Sequence, residues 1–370
     1  MTKYVLILAP KGDLHAAAVA YRIAELGVDV SPVIFDTATH PLGTYSTCYL
    51  NDKGAKSELS IVRPLPDPYG NSAHKKLEEW RHQAQHISID QVLAVWRRRP
   101  RQSVVPEEDY SHIFKAFARE NSKRQLEGIF AINDKIRILN NSNAERLANN
   151  KIFQLSAARN SGFKIPDTLV TNDPQQALDF ANSLNADGHE VIYKPLAPSK
   201  GAYQGAQIFS SKSEEHIDAL RQSPVIFQKR IKGDELRIAT INNQVFASRQ
   251  MVDAASEWVD IREHDTRAEA IDIDDKWKRL LANLNYSMHL EFSSSDFILT
   301  ESGELVFLDL NPSGQWLWLE EDAKHPISQA IAEHLTFGAI KLELNLCVLP
   351  SAENLLEWVK VHSVAGKIPC

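Results

Sequence analysis

The sequence predicts a multi-domain protein of the α/β (α+β) class, with a β-α-β unit at its N-terminus. The chain has 370 residues, and a typical domain size of about 150 residues gives two or three domains. An apolar run, an alanine-rich helical stretch and a second apolar run follow one another near the N-terminus, which predicts a parallel sheet. Beyond about residue 140, short strands joined by tight turns alternate with helices.

The N-terminal pattern indicates strand, helix, strand and then hairpin. Residues 4–9 are the first apolar run, the helix stops at Gly27, and residues 32–35 are the second strand. Two alternating runs, TYSTCYL and SELSIV, flank the turn NDKGAK and predict a hairpin.

The following residues predict a linker and then a second body. Residues 67–86 are polar and indicate an insertion or an exposed helix, before a strand at residues 91–96. Residues 111–130 have the apolar spacing of an amphipathic helix that bridges two halves. A helical segment covers residues 143–159, and Lys151 opens the helix that follows two asparagines. Further helices are expected at residues 174–184, 274–284 and 326–335, among the strands VIYK, AQIFS, VIFQKR, LRIATI, VFASRQ, FILT and LVFLDL.

Composition and charge exclude several classes of protein. Hydrophobic residues make up 43% and charged residues 24%, which is ordinary for globular domains and disfavours disorder. A net charge of -7 argues against a nucleic-acid binder. Three distant cysteines indicate neither a disulfide framework nor a zinc site. Nothing is long and apolar enough to target or span a membrane, so we expect a cytoplasmic protein.

Two acidic strands near the C-terminus carry the sharpest chemical signal. Asp309 and Asn311 are two apart in LVFLDLNPSG and therefore share one face of a strand, where Asp296 of SSSDFILT could meet them. Three oxygen donors suit Mg²⁺. The alternative is that Asp309 and Asn311 only end a strand at an Asn-Pro turn.

Two lysines and a loop upstream strengthen the metal interpretation. Lys151 opens a helix, and Lys194 ends the strand VIYK before the loop PLAPSKGAYQG. Either lysine alone is better explained as a solvated surface charge. In this order, with the downstream acidic residues, they indicate a nucleoside-triphosphate site.

Residues 140–320 resemble an ATP-grasp domain. The stretches NNKIFQL, VIYKP, VIFQKRIKGDELRI and FLDLNPSGQWLWLE resemble the ligases that mature graspetides, the microviridin-type macrocyclases, and GDLHAAAVAYRIAELG extends the resemblance to the N-terminus. The resemblance implies an N-terminal pre-ATP-grasp β-α-β domain followed by a two-lobed ATP-grasp domain. The expected boundaries are 1–105 for the pre-ATP-grasp domain, 106–140 for a helical linker, 141–345 for the ATP-grasp domain and 346–370 for a C-terminal helix and tail.

The resemblance also implies roles for individual residues. Lys151 and Lys194 would bind ATP phosphates. Gln228, Lys229 and Ile231 would lie at the adenine edge, where backbone groups of Lys229 and Ile231 bond the base. Glu235 would bind the ribose hydroxyls.

The family pattern further implies a catalytic set and a metal set. The catalytic candidates are Arg237, Arg249 and Arg262, although Arg262 in WVDIRE is equally explained by a surface ion pair. The Mg²⁺ ligands would be Asp296, Asp309 and Asn311. The middle ligand in the family is usually Glu, and the shorter Asp309 leaves open whether one or two ions bind.

The implied reaction is ATP-dependent activation of side-chain Asp or Glu carboxylates in a ribosomal precursor peptide with leader and core. An acyl phosphate and ADP form, and a Thr or Ser hydroxyl or a Lys amine then closes an ester or amide. Two alternatives stay open: an ATP-grasp ligase that adds an amino acid to a peptide or protein, and a non-catalytic ATP-binding module. Whether the chain forms a homodimer is also left open.

Two other signals have ordinary explanations. The basic run WRRRPR at residues 96–101 is explained as the polar end of a strand. The resemblance implies that it is a structural or substrate-contacting element. His82 and His86 have the i, i+4 spacing of metal ligands, but no third ligand is evident nearby, which favours a solvated helix.

Overall fold

The fold was obtained as a computed structural model, which describes residues 2–61, 85–105, 111–197, 205–251, 267–337 and 351–364. The chain divides into two compact units. The first is Met1–Ser142 with Pro326–Cys370, and the second is Asn143–His325. Across the described ranges, no helix combines the length and the apolarity needed to cross a membrane.

Strands and helices alternate along both units. In chain order, the strands are β1 (Lys3–Leu8), β2 (Val30–Phe35), β3 (Thr44–Asn51), β4 (Gly54–Ile61), β5 (Gln85–Ser88), β6 (Val92–Arg97), β7 (Arg137–Leu139), β8 (Thr168–Thr171), β9 (Val191–Pro195), β10 (Gln207–Ile208), β11 (Val225–Lys229), β12 (Asp234–Ile241), β13 (Gln244–Met251), β14 (Arg267–Ile271), β15 (Phe292–Leu299) and β16 (Leu305–Asn311). The helices are α1 (Leu14–Glu25), α2 (His112–Ala131), α3 (Ser142–Ala148), α4 (Lys151–Asn160), α5 (Pro174–Ala186), α6 (Ser211–Glu214), α7 (Asp275–Ser287), α8 (Leu317–Asp322), α9 (Ile327–Thr336) and α10 (Ala352–Val364).

A parallel sheet in the order β2-β1-β6-β7 forms the centre of the first unit. Helix α2 buries Leu126, Ile129 and Phe130 in a core shared with this sheet and with the antiparallel sheet β3-β4-β5. Helix α1 packs against α9 and α10. The expected β-α-β unit and the expected hairpin, whose turn lies between Asn51 and Gly54, are both present.

Two antiparallel sheets form the two lobes of the second unit. The smaller sheet, in the order β10-β9-β11-β8, packs one face against α5. The larger sheet, in the order β14-β13-β12-β15-β16, packs one face against α4 and α7.

The helical segment of residues 143–159 forms two helices, because the backbone at Asn150 is extended. The Asn150 side chain accepts a hydrogen bond from the Phe153 N–H, which is the usual N-cap arrangement. Lys151 is consequently the first residue of α4, as the sequence predicted. The predicted strand AQIFS contributes only Gln207–Ile208 to the sheet.

Helix α9 groups with the first unit by its contacts. The Arg22 Nε of α1 donates to the Ser328 Oγ of α9 at 3.4 Å, and both side chains are buried. Arg262, His82 and the loop residues 198–204 lie outside the described ranges, as does most of the polar stretch at residues 67–86.

A buried histidine joins several segments of the first unit. The His40 ring is 1% exposed, its Nε2 lies 2.7 Å from Ser46 Oγ, and its Nδ1 contacts Ser122 Oγ of α2. Burial lowers the pKa of His40 from 6.5 to about 4. The ring is therefore neutral in the folded protein at neutral pH.

We expect acid to destabilise the protein through His40. Between pH 6.5 and 4 the unfolded chain binds a proton at this position that the folded chain does not, so the contribution is complete above pH 6.5 and declines as the pH falls. By pH 5 the loss is about 2 kcal/mol. Urea unfolding of His40→Gln should show a weaker decline in stability between pH 7 and 5 than wild type. An identical pH dependence in His40→Gln would contradict this assignment.

Candidate functional site

The predicted acidic residues meet on one face of the larger sheet. Asp296 on β15 lies directly opposite Asp309 on β16, and Ser294 lies opposite Asn311. Cross-strand partners project to the same face of an antiparallel sheet. The three predicted metal ligands therefore form one cluster.

A β-bulge sets which side chains of β16 face the site. The register shifts after the Asp296–Asp309 pair, so that Phe297 pairs with Phe307 and Leu308 is the extra residue. Phe307 and Leu310 are buried in the core on one side of the sheet. Leu308 lines a cavity on the other side. The bulge thus allows Leu308 and Asp309, although adjacent in sequence, to serve the same face.

The turn after β16 fixes Asn311. Its Oδ1 accepts a hydrogen bond from the Ser313 N–H at 2.9 Å, and its backbone oxygen accepts one from the Gly314 N–H. A Cβ on Gly314 would overlap the Cβ of Ser294. Only glycine lets this turn pass so close to β15, which explains the motif NPSG beyond its turn propensity.

Each carboxylate of the cluster has a cationic partner. The Lys151 Nζ forms an ion pair with Asp309, and the Arg237 Nε lies 2.7 Å from the Asp296 Oδ1. Arg237 and Asp296 are cross-strand partners on β12 and β15. The structure therefore brings together Lys151 and Arg237 with all three predicted metal ligands.

A buried glutamine positions Lys151. The Gln154 Nε2 donates to the Leu310 backbone oxygen at 2.7 Å, and its Oε1 accepts from the Leu310 N–H at 3.1 Å. This side chain therefore satisfies both free backbone groups of Leu310 on the edge strand β16, as a neighbouring strand would. A second edge contact runs from the Phe307 N–H to the Lys164 oxygen at 2.9 Å. Sequence reasoning missed Gln154, because a glutamine inside NNKIFQL has no motif of its own.

A cavity of about 240 Å³ lies beside the cluster. Its lining includes the predicted residues Gln228, Lys229, Ile231 and Glu235, together with Ile192, Ile298 and Leu308. On the smaller sheet, Ile192 and Gln228 are cross-strand partners, and Lys194 lies two residues after Ile192 on the same face. Lys194 therefore belongs to the cavity side of this sheet.

The residues of the segment at 228–233 are held individually. The buried Gln228 side chain donates to Thr168 Oγ1 at 3.0 Å, the Lys229 N–H donates to the Asp167 oxygen, and Arg230 pairs with Glu190 at 3.0 Å. Gly233 has a φ of +152°, and a Cβ there would overlap the Leu299 oxygen. Hydrogen bonds thus fix one end of the segment to the smaller sheet, and close packing of Gly233 fixes the other end to the larger sheet.

Arg249 lies apart from the other predicted site residues. Its cross-strand partner is Leu236, which is buried in the core on the face opposite to Arg237. Its Nε lies 3.2 Å from the Asp234 Oδ2. The structure does not bring Arg249 to the carboxylate cluster.

The donor set suits Mg²⁺ rather than a softer metal. Two carboxylates and one amide are hard oxygen donors, the type that Mg²⁺ prefers. Within the described ranges, no group of three or more His, Cys, Asp and Glu side chains has the arrangement of a metal site. The third donor of this cluster is an amide, which such a group does not include.

Comparison with known proteins identifies the family. Residues 148–335, just over half of the chain, match the RimK-like ATP-grasp domain. The macrocyclase MdnB from Microcystis aeruginosa MRC is 30% identical, with a TM-score of 0.71, and the alignment covers 91% of this chain and 100% of MdnB. The chain belongs to the ATP-grasp family. As an ATP-grasp ligase, it is an ATP-dependent enzyme. The matched residues cover nearly all of the two-lobed second unit and extend into α9.

More distant solved structures share the fold of this ATP-grasp ligase. M. aeruginosa MdnC, solved with its precursor peptide MdnA, is 23% identical with a TM-score of 0.74, over 90% of this chain and 99% of MdnC. A Chryseobacterium gregarium RiPP-associated ATP-grasp ligase, solved with ADP and a leader and core peptide, is 21% identical with a TM-score of 0.74, over 94% of this chain and 100% of that one. A comparison with curated protein sequences finds no significant match.

Replacing Gln154 should destabilise the ATP-grasp domain. Gln154→Leu keeps the side-chain volume but leaves the Leu310 N–H and oxygen without their partner, at a cost of about 2 to 4 kcal/mol. Urea unfolding measures this loss. The matched control is Gln176→Leu on α5, whose side chain is exposed, and this variant should stay within about 0.5 kcal/mol of wild type. Equal free energies of unfolding for the two variants would contradict a structural role for Gln154.

Proposed function

We propose that this ATP-grasp ligase activates side-chain Asp or Glu carboxylates of a ribosomal precursor peptide and joins them to Thr or Ser hydroxyls or to Lys amines. The products are ester or amide macrocycles, ADP and phosphate. The observation that carries the proposal is the cluster of Asp296, Asp309 and Asn311 with its two cations, in a chain that is 30% identical to a macrocyclase over nearly its whole length.

The carboxylate cluster would bind Mg²⁺, and the cavity would bind the adenine and ribose of ATP. Asp296, Asp309 and Asn311 would hold Mg²⁺, which supplies neutralisation of the charge on a transferring phosphoryl group. Backbone groups of Lys229 and Ile231 would bind the adenine, and Glu235 the ribose. A related ligase, PsnB, has been solved with a minimal precursor, Mg and ADP.

The two cations of the cluster would act on the phosphates. In the structure, Lys151 and Arg237 offset the repulsion between two carboxylates that face each other across β15 and β16. Both side chains are long enough to exchange a carboxylate for the anionic oxygens of a ligand bound at this face. Lys194 lies on the facing lobe and would contact the same phosphates from the opposite side.

The chemistry then needs little covalent work from the protein. A substrate carboxylate oxygen attacks the γ-phosphorus, the bond to ADP breaks, and an acyl phosphate results. The hydroxyl or amine next attacks the acyl carbon, and phosphate leaves. We assign to Arg237 the stabilisation of negative charge in both steps, and to the tethering of donor and acceptor in one peptide the gain from proximity.

Substitution of Arg237 and substitution of Arg249 should have different effects on the rate of ADP formation. Arg237→Met removes a cation from the carboxylate cluster, and we expect kcat for ADP formation to fall by about 100-fold or more. Arg249→Met changes a cation on the opposite face, and we expect a change of only a few fold. Steady-state ADP release with a peptide substrate measures both. Similar losses in the two variants would contradict the assignment of Arg237.

The mass of the product tests the reaction itself. Incubation with ATP, Mg²⁺ and a small peptide encoded beside the gene should remove one water for each bond formed. A gain equal to an amino-acid residue would instead support the ligase that extends a peptide or protein.

Asp309→Asn should abolish ADP formation while the unfolding midpoint stays close to that of wild type. An active, folded Asp309→Asn would overturn the metal assignment.

A further inference from the structure

A second cavity, of about 510 Å³, lies within the first unit, between α2 and the loop that follows β6. All of its lining residues belong to this unit, and none of them is among the site residues described above. The basic run WRRRPR contributes Arg97, Pro100 and Arg101 to its wall. The basic run therefore forms part of this second cavity, although it has no part in the proposed reaction.

The cavity lies at the carboxyl ends of the parallel strands. Leu8 is the last residue of β1, Arg97 is the last residue of β6, and Thr37 follows β2 by two residues. In the order β2-β1-β6-β7, the direction of the chain across the sheet reverses between β1 and β6. Ligands of open parallel sheets bind at such reversal points, outside the carboxyl ends of the strands.

Cationic side chains border the cavity on two sides. Arg97 and Arg101 come from the loop after β6, and Arg119 and Lys123 lie one helical turn apart on α2. The acidic lining residues that the structure describes are Glu120 and Glu127. Glu120 already pairs with Arg124 at 2.7 Å, and Arg101 pairs with the buried Asp36. The lining thus has four cationic side chains and two acidic ones.

Two groups near the loop after β6 have lowered pKa values, mainly because they are buried. Burial lowers the pKa of Arg98 to about 10, with Asp13 opposing the change and Arg99 adding to it. Burial, reinforced by Arg98 and Arg99, lowers the pKa of His15 to about 3. The fold thus concentrates cations at this edge of the sheet at an energetic cost.

The floor of the cavity is apolar. Leu8, Leu126 and Phe130 line it, and all three side chains are buried in the core of the unit. A small inorganic anion would use the cationic border but not this floor. A chain that carries both carboxylates and apolar side chains would use both.

We propose that this cavity binds an acidic peptide segment that also contains apolar side chains. That the segment belongs to the peptide substrate rests on the proposed function, since that substrate must contain Asp or Glu. Carboxylates would contact Arg119 and Lys123 on α2 and Arg97 on the opposite side, while an apolar side chain would lie on Leu126 and Phe130.

The test uses the full-length protein without ATP. The probes are a fluorescein-labelled hexapeptide of alternating Glu and Leu and its Gln and Leu counterpart, and fluorescence anisotropy measures Kd. Wild type should bind the acidic probe about tenfold more tightly than the neutral one. Arg119→Gln with Lys123→Gln should weaken binding of the acidic probe about tenfold, as expected for the loss of two exposed charge contacts. Both side chains are exposed on α2, so the fold should be retained.

The matched control is Lys53→Gln with Lys56→Gln, which removes the same charge from exposed positions on the hairpin of the same unit. This variant should bind the acidic probe within about twofold of wild type. Equal weakening in both double variants would show general charge attraction and overturn the proposal, as would equal binding of the two probes or full displacement of the acidic probe by inorganic phosphate at equal concentration.

The binding result and the proposed function fail separately. If wild type binds the acidic probe as expected but never removes water from a precursor peptide with ATP, the reaction is wrong and the cavity assignment stands. If water is removed but the α2 double variant binds the probe as well as wild type does, the cavity assignment is wrong and the reaction stands.

Discussion

The register between β15 and β16 is the constraint on which the candidate active site depends. The pairing of Asp296 with Asp309, followed by the bulge at Leu308, brings two carboxylates and an amide to one face while Phe307 and Leu310 remain in the core. A slip of one residue would send the predicted metal ligands into the apolar interior. At the end of the strand, Gly314 approaches Ser294 so closely that a side chain at position 314 would clash with it.

This register also brings two negative charges together, and nearby cations offset their repulsion. Two carboxylates directly opposite each other repel, and the fold places Lys151 and Arg237 against them. The same two cations suit the phosphates of a nucleotide. With both cations in place, the repulsion between the carboxylates is offset before any ligand binds. The proposed reaction would use the same cations where negative charge develops.

Much of this site follows from the sequence, and the rest depends on three-dimensional register. The shared face of Asp309 and Asn311 follows from the period of two along a strand, and the position of Lys151 follows from the capping preference of Asn150. The separation of Arg237 from Arg249 does not follow, because it requires knowing that Leu236 lies opposite Arg249. The role of Gln154 depends on its contact with Leu310, 156 positions away. The bulge depends on the exact pairing of β15 with β16, which no motif specifies.

The hydrogen bonds of Gln154 and Lys164 to β16 have a consequence for the protein in a crowded cell. Strand β16 is the last strand of its sheet, and an exposed last strand can recruit a strand from another molecule and begin aggregation. By occupying the outward backbone groups of Leu310 and Phe307, these two residues close that edge. The strand that carries Asp309 and Asn311 is thereby kept from pairing with an extended chain as a β-strand at these positions.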